Sequence, residues 1–299
     1  MITILIILII IFFFLFIIKS NFENRKITFY DFSGVFDKEL DDSLTAMFEK
    51  LFSYTNKKIE VYAVFGDTLN PKNDNTIRVQ VSHESRFRDL SLFDINFVPS
   101  IDTTAVFTFG SYYFNSHPQY DKNVFLNKRT FNGNKNDFCL FAVSNGGCEA
   151  RNTFFHKLSE YKKVDSCGKH LNNMGPCPGS SFNAPEFTDF IKKYKFMICF
   201  ENKSQIHYLT EKLLNAYYYN TIPIYWGCPN IEEYGINMDA ILYLKPEFTD
   251  DDVNNLIERI KYLDNNEEAY KRMYEQTFFV DGKIPETFDL DKIREKISQ

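Results

Sequence analysis

Strand-like and helix-like segments alternate along most of this chain, and this alternation constrains the fold more than any other feature of the sequence. The apolar run FCLFAVS at 138–144, for example, precedes RNTFFHKLSEY, which places Phe154 and Leu158 on one helical face. A strand followed by an amphipathic helix, repeated many times, is typical of a parallel α/β sheet. The sequence therefore predicts an α/β fold.

Two series of such segments are separated by the polar stretch NKRTFNGNKND at 127–137, whose Asn, Gly and Lys content is typical of a linker. We expect two Rossmann-like domains, at 27–135 and 136–280, that face a cleft, and a C-terminal helix within 281–299 that packs on the first domain. Predicted strands lie at 27–32, 58–66, 76–82, within 92–99 and 104–114, and at 138–144, 162–168, 195–200 and 221–227. Predicted helices lie at 43–54, 151–161, 210–220, 250–263 and 290–298.

The N-terminus carries a long apolar run at 2–18 that contains a single polar residue, Thr3. A helix over this run would be about 26 Å long at about 1.5 Å per residue, close to the thickness of a bilayer core. No basic residue precedes the run and no small-residue cleavage site follows it, which favours an uncleaved transmembrane signal-anchor at 1–18 over a signal peptide. A short stem at 19–26 would follow.

The charges that follow the apolar run bear on the orientation of the chain in a membrane. Lys19, Arg25 and Lys26 follow the apolar run, and the positive-inside rule alone would leave the body of the chain in the cytoplasm. The orientation stays open at this point.

Net charge argues against a general nucleic-acid-binding protein. The formal charge is -6 and no block of Lys and Arg stands out, although a small anion needs only a local cationic pocket.

The six cysteines are too few for a disulfide-built scaffold. Cys139 and Cys199 lie in strand-like runs and are expected to be buried thiols. Cys148, Cys167 and Cys177 lie in loop-like sequence and could pair if the body is lumenal. A zinc site at Cys167, His170 and Cys177 is disfavoured, because a fourth ligand is missing.

The segment FMICFENKSQIHYLTEKLLNAYYYNTIPIYWG at 196–227 is the most informative for chemistry. It predicts a strand, a loop, a helix and a strand, and the N-terminus of such a helix attracts anions. Lys212 lies in the first helical turn, where a cation opposes the helix dipole unless an anion is bound between them. Tyr208 and Glu211 add a phenol and a carboxylate suited to sugar hydroxyls. The alternative is an ordinary capped helix with a solvated Glu–Lys pair.

Arg151 occupies the same topological place one strand–helix unit earlier, at the start of the helix after 138–144. Two cations at neighbouring strand-to-helix turns could neutralise a diphosphate without a metal; the alternative for Arg151 is a surface position. The only glycosylation sequon begins at Asn202, and its place in a strand-to-helix turn favours a ligand pocket over a glycosylated surface.

These residues lie in segments that resemble glycosyltransferase family 10, the α-1,3/4-fucosyltransferases. The run FENKSQIHYLTEKLLNAYYYNTIPIYWG is similar to the family's Phe-Glu-Asn turn, Tyr-x-Thr-Glu-Lys, Ala-aromatic helix and Ile-Pro-Ile-Tyr-Trp-Gly. The upstream run FAVSNGGCEARNTFFHKLSEYKKVDSCGKHLNN is similar to the family's Ser-Asn, Arg-Asn, Val-Asp and Gly block. Together the two runs cover about 138–230.

The resemblance implies a fold of the glycosyltransferase-B (GT-B) type with GDP-fucose bound in the C-terminal domain. Arg151, Tyr208 and Lys212 would hold the diphosphate, Glu211 would bind sugar or ribose hydroxyls, and Asn202 would line the pocket. The reaction would transfer fucose with inversion to a hydroxyl of a glycan acceptor, with α-1,3 linkage expected. Another nucleotide-sugar transferase on the same scaffold, or a glycan-binding membrane protein with a decayed site, are the alternatives.

No cofactor is expected beyond the donor substrate, although a divalent metal could stimulate the reaction. Asp-x-Asp spacings occur at 250–252 and 289–291, but each opens an amphipathic helix, where carboxylates are favoured as caps. These carboxylates are therefore predicted to cap helices rather than to bind metal.

The family takes its catalytic base from a Glu that follows a strand of the first domain, in a context like Tyr-x-Gly-Glu-Asn. In this chain Glu84 has that place, in RVQVSHESRFRDLSLFDINF, where His83 and Ser85 replace the usual Gly and Asn. The alternative for Glu84 is a solvated turn carboxylate. Family members are commonly type II Golgi proteins, which implies a lumenal body.

Overall fold

A computed structural model describes residues 26–32, 38–82, 84–117, 120–179 and 184–299. Its first sheet has four parallel strands in the order β1-β2-β3-β4, and its second has five parallel strands in the order β6-β5-β7-β8-β9. The predicted α/β class with parallel sheets is confirmed. We call β1–β4 with helices α1 and α9 the first lobe, and β5–β9 with helices α4–α8 the second lobe.

The elements of the first lobe are β1 (Ile27–Tyr30), α1 (Lys38–Leu51), β2 (Lys58–Tyr62), β3 (Thr76–Val81) and β4 (Ile95–Phe97). Two short helices, α2 (Phe109–Ser116) and α3 (Asn123–Leu126), lie between the lobes in the sequence. The elements of the second lobe are β5 (Asp137–Phe141), α4 (Glu149–Tyr161), β6 (Val164–Ser166), α5 (Pro185–Ile191), β7 (Tyr194–Ile198), α6 (Glu211–Tyr218), β8 (Ile222–Tyr225), β9 (Leu242–Tyr243), α7 (Asp250–Asn265) and α8 (Glu267–Tyr274). The last helix, α9, is Leu290–Ile297.

The core of the first lobe follows the periodicity of its segments. Leu44, Met47 and Leu51 recur at helical spacing on α1 and are buried against the sheet. Tyr54 follows at the same spacing, within the helix predicted at 43–54, but the helix ends at Leu51 and Tyr54 is 40% exposed. The prediction that the C-terminal helix packs back on this lobe is confirmed, because Ile293 joins the same cluster.

The central strands of the second lobe are mostly apolar and buried, as expected for a parallel sheet covered on both faces. All four residues of β8 are buried. The predicted strands and helices of this lobe are observed with ends that shift by a few residues. Helix α5, strand β9 and helix α8 were not predicted, and each is short.

The predicted strand at 104–114 is wrong, because Phe109–Ser116 form helix α2. Thr108 caps this helix: its Oγ1 accepts a hydrogen bond from the backbone N–H of Ser111 at 3.1 Å. Helix α2 also lies close to the second lobe, and a Cβ on Gly110 would come within 3.3 Å of the Leu214 side chain. The apolar run alone fits either a strand or a helix, and the cap with this tertiary contact selects the helix.

The predicted linker at 127–137 is fastened to the second lobe. Arg129 is buried between the rings of Tyr217 and Tyr274, with its guanidinium carbon 3.8 and 4.2 Å from the ring centres. It donates hydrogen bonds to the carbonyls of Tyr274 at 3.0 Å and of Tyr217 and Thr221, each at 2.9 Å. Lys135 is also buried and donates to the carbonyl of Lys192 at 2.7 Å. Residues 127–137 therefore do not form a flexible linker.

Cys167 and Cys177 form a disulfide, which removes both from the zinc set considered above. Cys139 and Cys199 are buried thiols as predicted, and Cys148 is a third. In the part of the chain that the structure describes, no three metal-ligating side chains cluster so as to hold an ion.

The described helices include none that is both long and apolar enough to cross a bilayer. The predicted anchor at 1–18 and the stem up to residue 25 lie outside the described residues.

Candidate active site

A cavity of about 210 Å³ lies at the carboxyl ends of β5 and β7, where each strand turns into a helix. Parallel α/β sheets commonly bind ligands at this edge, because the turns and the helix N-termini converge there. The cavity brings together four of the predicted site residues, from α4, from the turn after β7 and from α6. These are Arg151, Asn202, Glu211 and Lys212.

Arg151 is fully buried beside this cavity. Its Nη1 donates to the carbonyl of Phe200 at 3.2 Å and to Oδ1 of Asn202 at 3.0 Å, and its Nη2 donates to the carbonyl of Asn145. Its Nε has no hydrogen-bond partner among the described residues. These three acceptors are neutral oxygens, and the carboxylate of Glu201 lies near enough to act on the buried positive charge that faces the cavity. Such a charge favours an anionic ligand.

Glu201, directly after Phe200, is the functional residue that sequence reasoning missed. The carboxylate is fully buried. Oε1 accepts from the backbone N–H of Thr210 at 2.8 Å, and Oε2 accepts from the hydroxyl of Thr210 at 2.7 Å and from Nζ of Lys212 at 3.4 Å. Glu201 therefore fixes the start of α6 and the lysine in its first turn. A carboxylate at the end of an apolar strand was the available signal.

Lys212 stays protonated although it is largely buried. Burial lowers its pKa, but Glu211 and Glu201 outweigh that effect and hold the pKa above the usual value for a lysine. Its Nζ lies 3.8 Å from Oε1 of Glu211 and 3.1 Å from Oγ1 of Thr210. The helix N-terminus and this lysine together present positive charge to the cavity.

Tyr208 and Glu84 lie beside the cavity rather than among the residues that line it. Tyr208 is buried in the loop that leads into α6, and its pKa is raised chiefly by burial and by Glu201. The charge of Glu84, from the first lobe, adds a smaller contribution to that increase. The backbone N–H of Glu84 donates to Oγ of Ser82 at 3.2 Å, in a tight turn after β3.

Two hydrogen bonds connect the loop before α6 to residues that precede the second lobe. Nε2 of Gln205 donates to the carbonyl of Pro99 at 2.6 Å, in the loop after β4. The backbone N–H of Gly110, on α2, donates to the carbonyl of Leu209 at 2.8 Å. The candidate site is therefore bordered by both lobes.

The Asp-x-Asp segments cap helices, as predicted. At α7, Thr249 and Asp252 form a reciprocal capping box, and at α9 the side chain of Asp289 accepts from the backbone N–H of Asp291 and Lys292.

A buried arginine and a protonated lysine at neighbouring strand-to-helix turns form a site suited to an anion such as a nucleotide phosphate. The family described as glycosyltransferase family 10 (fucosyltransferase), C-terminal part, matches residues 132–282, just over half of the chain. The protein belongs to this family.

Among relatives, the chain is 32% identical over 179 residues to a protein named as a fucosyltransferase in Acanthamoeba polyphaga mimivirus, with 58% of this chain and 28% of that protein covered. It is 34% identical over 151 residues to an α-(1,3)-fucosyltransferase of Helicobacter pylori, with 50% and 30% covered. The match thus spans less than a third of the length of either relative.

The fold is similar to that of a crystal structure of an α1,3-fucosyltransferase with GDP-fucose. The TM-score is 0.60 at 22% identity, and the match covers 80% of this chain and 76% of the other. This likeness extends beyond the segment that the family match covers.

Proposed function

We propose that the protein is an inverting fucosyltransferase that moves L-fucose from GDP-fucose to a hydroxyl of a glycan, with α-1,3 linkage. The observation that carries the proposal is the cavity that both Arg151 and Lys212 line, because positive charges on two neighbouring turns can stabilise a diphosphate leaving group. Membership of the family and the names of the relatives support the choice of GDP-fucose and of the linkage.

In the proposed reaction the two lobes face the cleft in the GT-B arrangement. Glu84 removes the proton of the acceptor hydroxyl, the acceptor oxygen bonds to the anomeric carbon of fucose, and the bond from that carbon to the diphosphate breaks. The electron pair leaves with GDP, whose charge Arg151 and Lys212 stabilise. Tyr208 assists in holding the diphosphate. One displacement inverts the anomeric configuration.

Asn202 and Glu211 have positioning roles in this proposal. Asn202 accepts a hydrogen bond from Arg151 and lines the cavity, so it orients the guanidinium towards the donor. Glu211 lines the same cavity and offers acceptor oxygens to ribose or fucose hydroxyls. Asn202 and Glu211 therefore both belong to the proposed donor site.

We also propose that an uncleaved anchor at 1–18 makes this a type II membrane protein with its body in the Golgi lumen. The disulfide between Cys167 and Cys177 supports this orientation, because such bonds persist in oxidising compartments. Protease protection of the body in sealed vesicles would agree with the proposal, and digestion in intact vesicles would contradict it.

The direct test incubates the purified full chain with GDP-fucose and a panel of oligosaccharides, followed by linkage analysis of the product. We expect release of GDP, an α-1,3-linked fucose and activity that persists in EDTA. Use of a different nucleotide sugar would favour another transferase on this scaffold. Binding of GDP-fucose without transfer to any acceptor would favour a glycan-binding protein with a decayed site.

The cationic cavity is tested by Lys212→Met, which removes one charge from the donor site. A charge-assisted hydrogen bond contributes about 1.5–3 kcal/mol, so we expect the dissociation constant for GDP to rise about 10- to 100-fold in calorimetric titration. Lys212→Arg should restore much of the affinity, which separates lost charge from misfolding. Lys203→Met, an exposed lysine in the turn after β7, is the matched control. Unchanged affinity in Lys212→Met would contradict the assignment.

A further inference from the structure

Exposed apolar side chains follow successive strands of the first lobe at the edge that carries Glu84. Phe65 follows β2 and is 43% exposed, and Phe87 follows β3 and is 38% exposed. Carboxyl ends of parallel strands lie at one edge of a sheet, and neighbouring strands are about 4.8 Å apart. The two phenyl rings are therefore carried by adjacent loops on the same edge.

Asp31 binds these two loops together. Its Oδ2 accepts from the backbone N–H of Thr68 at 2.9 Å and pairs with Nη1 of Arg88 at 3.4 Å. Gly66 lies so near that a Cβ there would come within 2.5 Å of Asp31 Oδ1. Gly66 follows Phe65 directly and Arg88 follows Phe87 directly, so the two phenylalanines flank one buried polar link.

The loop that carries Phe87 is also ordered around Glu84. The hydroxyl of Ser82 donates to the carbonyl of Glu84 at 2.8 Å and also bonds to the carbonyl of Arg86. The guanidinium of Arg88 packs inward over the ring of Phe93 at 5.2 Å. Phe87 lies between these two anchored positions and remains exposed, three residues from the proposed base.

We infer that Phe65 and Phe87 form an apolar subsite that binds the C–H face of a pyranose ring in an oligosaccharide acceptor, beside the ring whose hydroxyl faces Glu84. This inference rests on the proposed function. A pyranose presents its C–H bonds on one face and its hydroxyls at the rim. An exposed phenyl ring can therefore cover the C–H face without leaving the sugar hydroxyls unpaired. The subsite extends along the sheet edge away from Glu84, which suits an acceptor of two or more sugar rings.

A side chain of a protein acceptor is the competing occupant of this surface. It is disfavoured because the exposed edge offers two planar rings carried on neighbouring strands. A peptide acceptor would be expected to pair its backbone with polar groups, yet Asp31 and Arg88 are already paired to one another.

The test measures initial rates of the full chain with GDP-fucose and three acceptors: a monosaccharide glycoside, the di- or trisaccharide that contains it, and a Ser/Thr peptide. We expect Phe87→Ala and Phe65→Ala to raise KM for the oligosaccharide about 3- to 10-fold, with less than a twofold change for the monosaccharide and for GDP-fucose. Phe87→Tyr should keep the wild-type KM. Leu92→Ala, equally exposed at 38% but near the start of β4, is the matched control and should change nothing.

Equal changes for the monosaccharide and the oligosaccharide, or no change in either phenylalanine variant, would overturn the inference while leaving the proposed function intact. Preferred transfer to the peptide would overturn it in favour of a protein acceptor. If the wild-type chain transfers fucose to no acceptor, the proposed function and this inference fail together. Circular dichroism of each variant separates a lost contact from a lost fold.

Discussion

In the second lobe, Arg151 is buried and Lys212 is largely buried, and the two are bonded to carbonyls, an amide and the carboxylate of Glu201. In the first lobe, Glu84 and Phe87 stand on a loop whose order comes from a few bonds between the backbone and nearby side chains. The two lobes are built from the same alternation of strand and helix. They differ in the hydrogen-bond partners of their polar site residues, which belong to the interior in the second lobe and to a surface loop in the first.

This difference indicates that the two sides of the cleft have different roles. The proposed donor side is pre-organised, because its cations are held by hydrogen bonds within the protein. The proposed acceptor side consists of loop tips, where substitutions change contacts without disturbing a core. The family match at 132–282 covers the donor side and leaves out Glu84, in agreement with this difference in roles.

The largest expected effect comes from Glu84→Gln, which separates chemistry from donor binding. Loss of a general base slows turnover about 10²- to 10⁴-fold, while the affinity for GDP should stay within twofold because that site lies on the other lobe. Rates with a saturating acceptor and calorimetric titration of GDP measure the two quantities.

Asp102→Asn is the control for that experiment, since Asp102 is an exposed carboxylate in the loop after β4. It should leave both quantities unchanged. Near-normal turnover in Glu84→Gln would show that the base lies elsewhere and would remove the clearest functional residue from the first lobe.

The sequence predicted more of the second lobe than of the region between the lobes. β5, β7 and β8 are mostly apolar and buried, so burial and strand propensity agree, and the positions of these strands could be predicted from the sequence. Helix α2 was missed because its apolar run fits two periodicities, and contact with α6 through Gly110 is a tertiary effect. Five residues were predicted to share a ligand pocket and four of them line the cavity, whereas the bonds that order Lys212 involve Glu201, whose partner Thr210 is nine residues away.

The burial of Arg129 could not be predicted from the sequence either, because the polar stretch at 127–137 does not indicate a buried cation between two tyrosine rings. Arg129→Met removes donors from three carbonyls and two cation–π contacts, one to each of Tyr217 and Tyr274. We expect the free energy of unfolding to fall by about 3 kcal/mol, measured by urea denaturation. Lys128→Met, at the exposed neighbouring position, should change it by less than about 0.5 kcal/mol. Equal stability of the two variants would mean that the second lobe does not depend on its buried cations.

The smallest expected effect is a pH dependence that arises from Lys135. Burial, together with the smaller effect of the charge of Arg129, lowers the pKa of Lys135 from 10.5 to about 7. Below pH 7 the folded and unfolded chains both carry the proton, so this lysine gives no slope there. Above pH 7 the unfolded chain binds more protons, and the free energy of unfolding should rise with pH, by at most about 1.4 kcal/mol per pH unit.

Urea denaturation at several pH values between 6.5 and 8.5 isolates this contribution as the difference between wild type and Lys135→Met. The wild-type curve should gain stability relative to the variant as pH rises through 7, whereas Lys128→Met should run parallel to wild type. Parallel curves for Lys135→Met would mean that Lys135 keeps its ordinary pKa in spite of burial. Lys135 would then be a buried residue with a full positive charge that only carbonyl oxygens stabilise. A buried cation of the second lobe would in that case need neither a counter-ion nor a ligand.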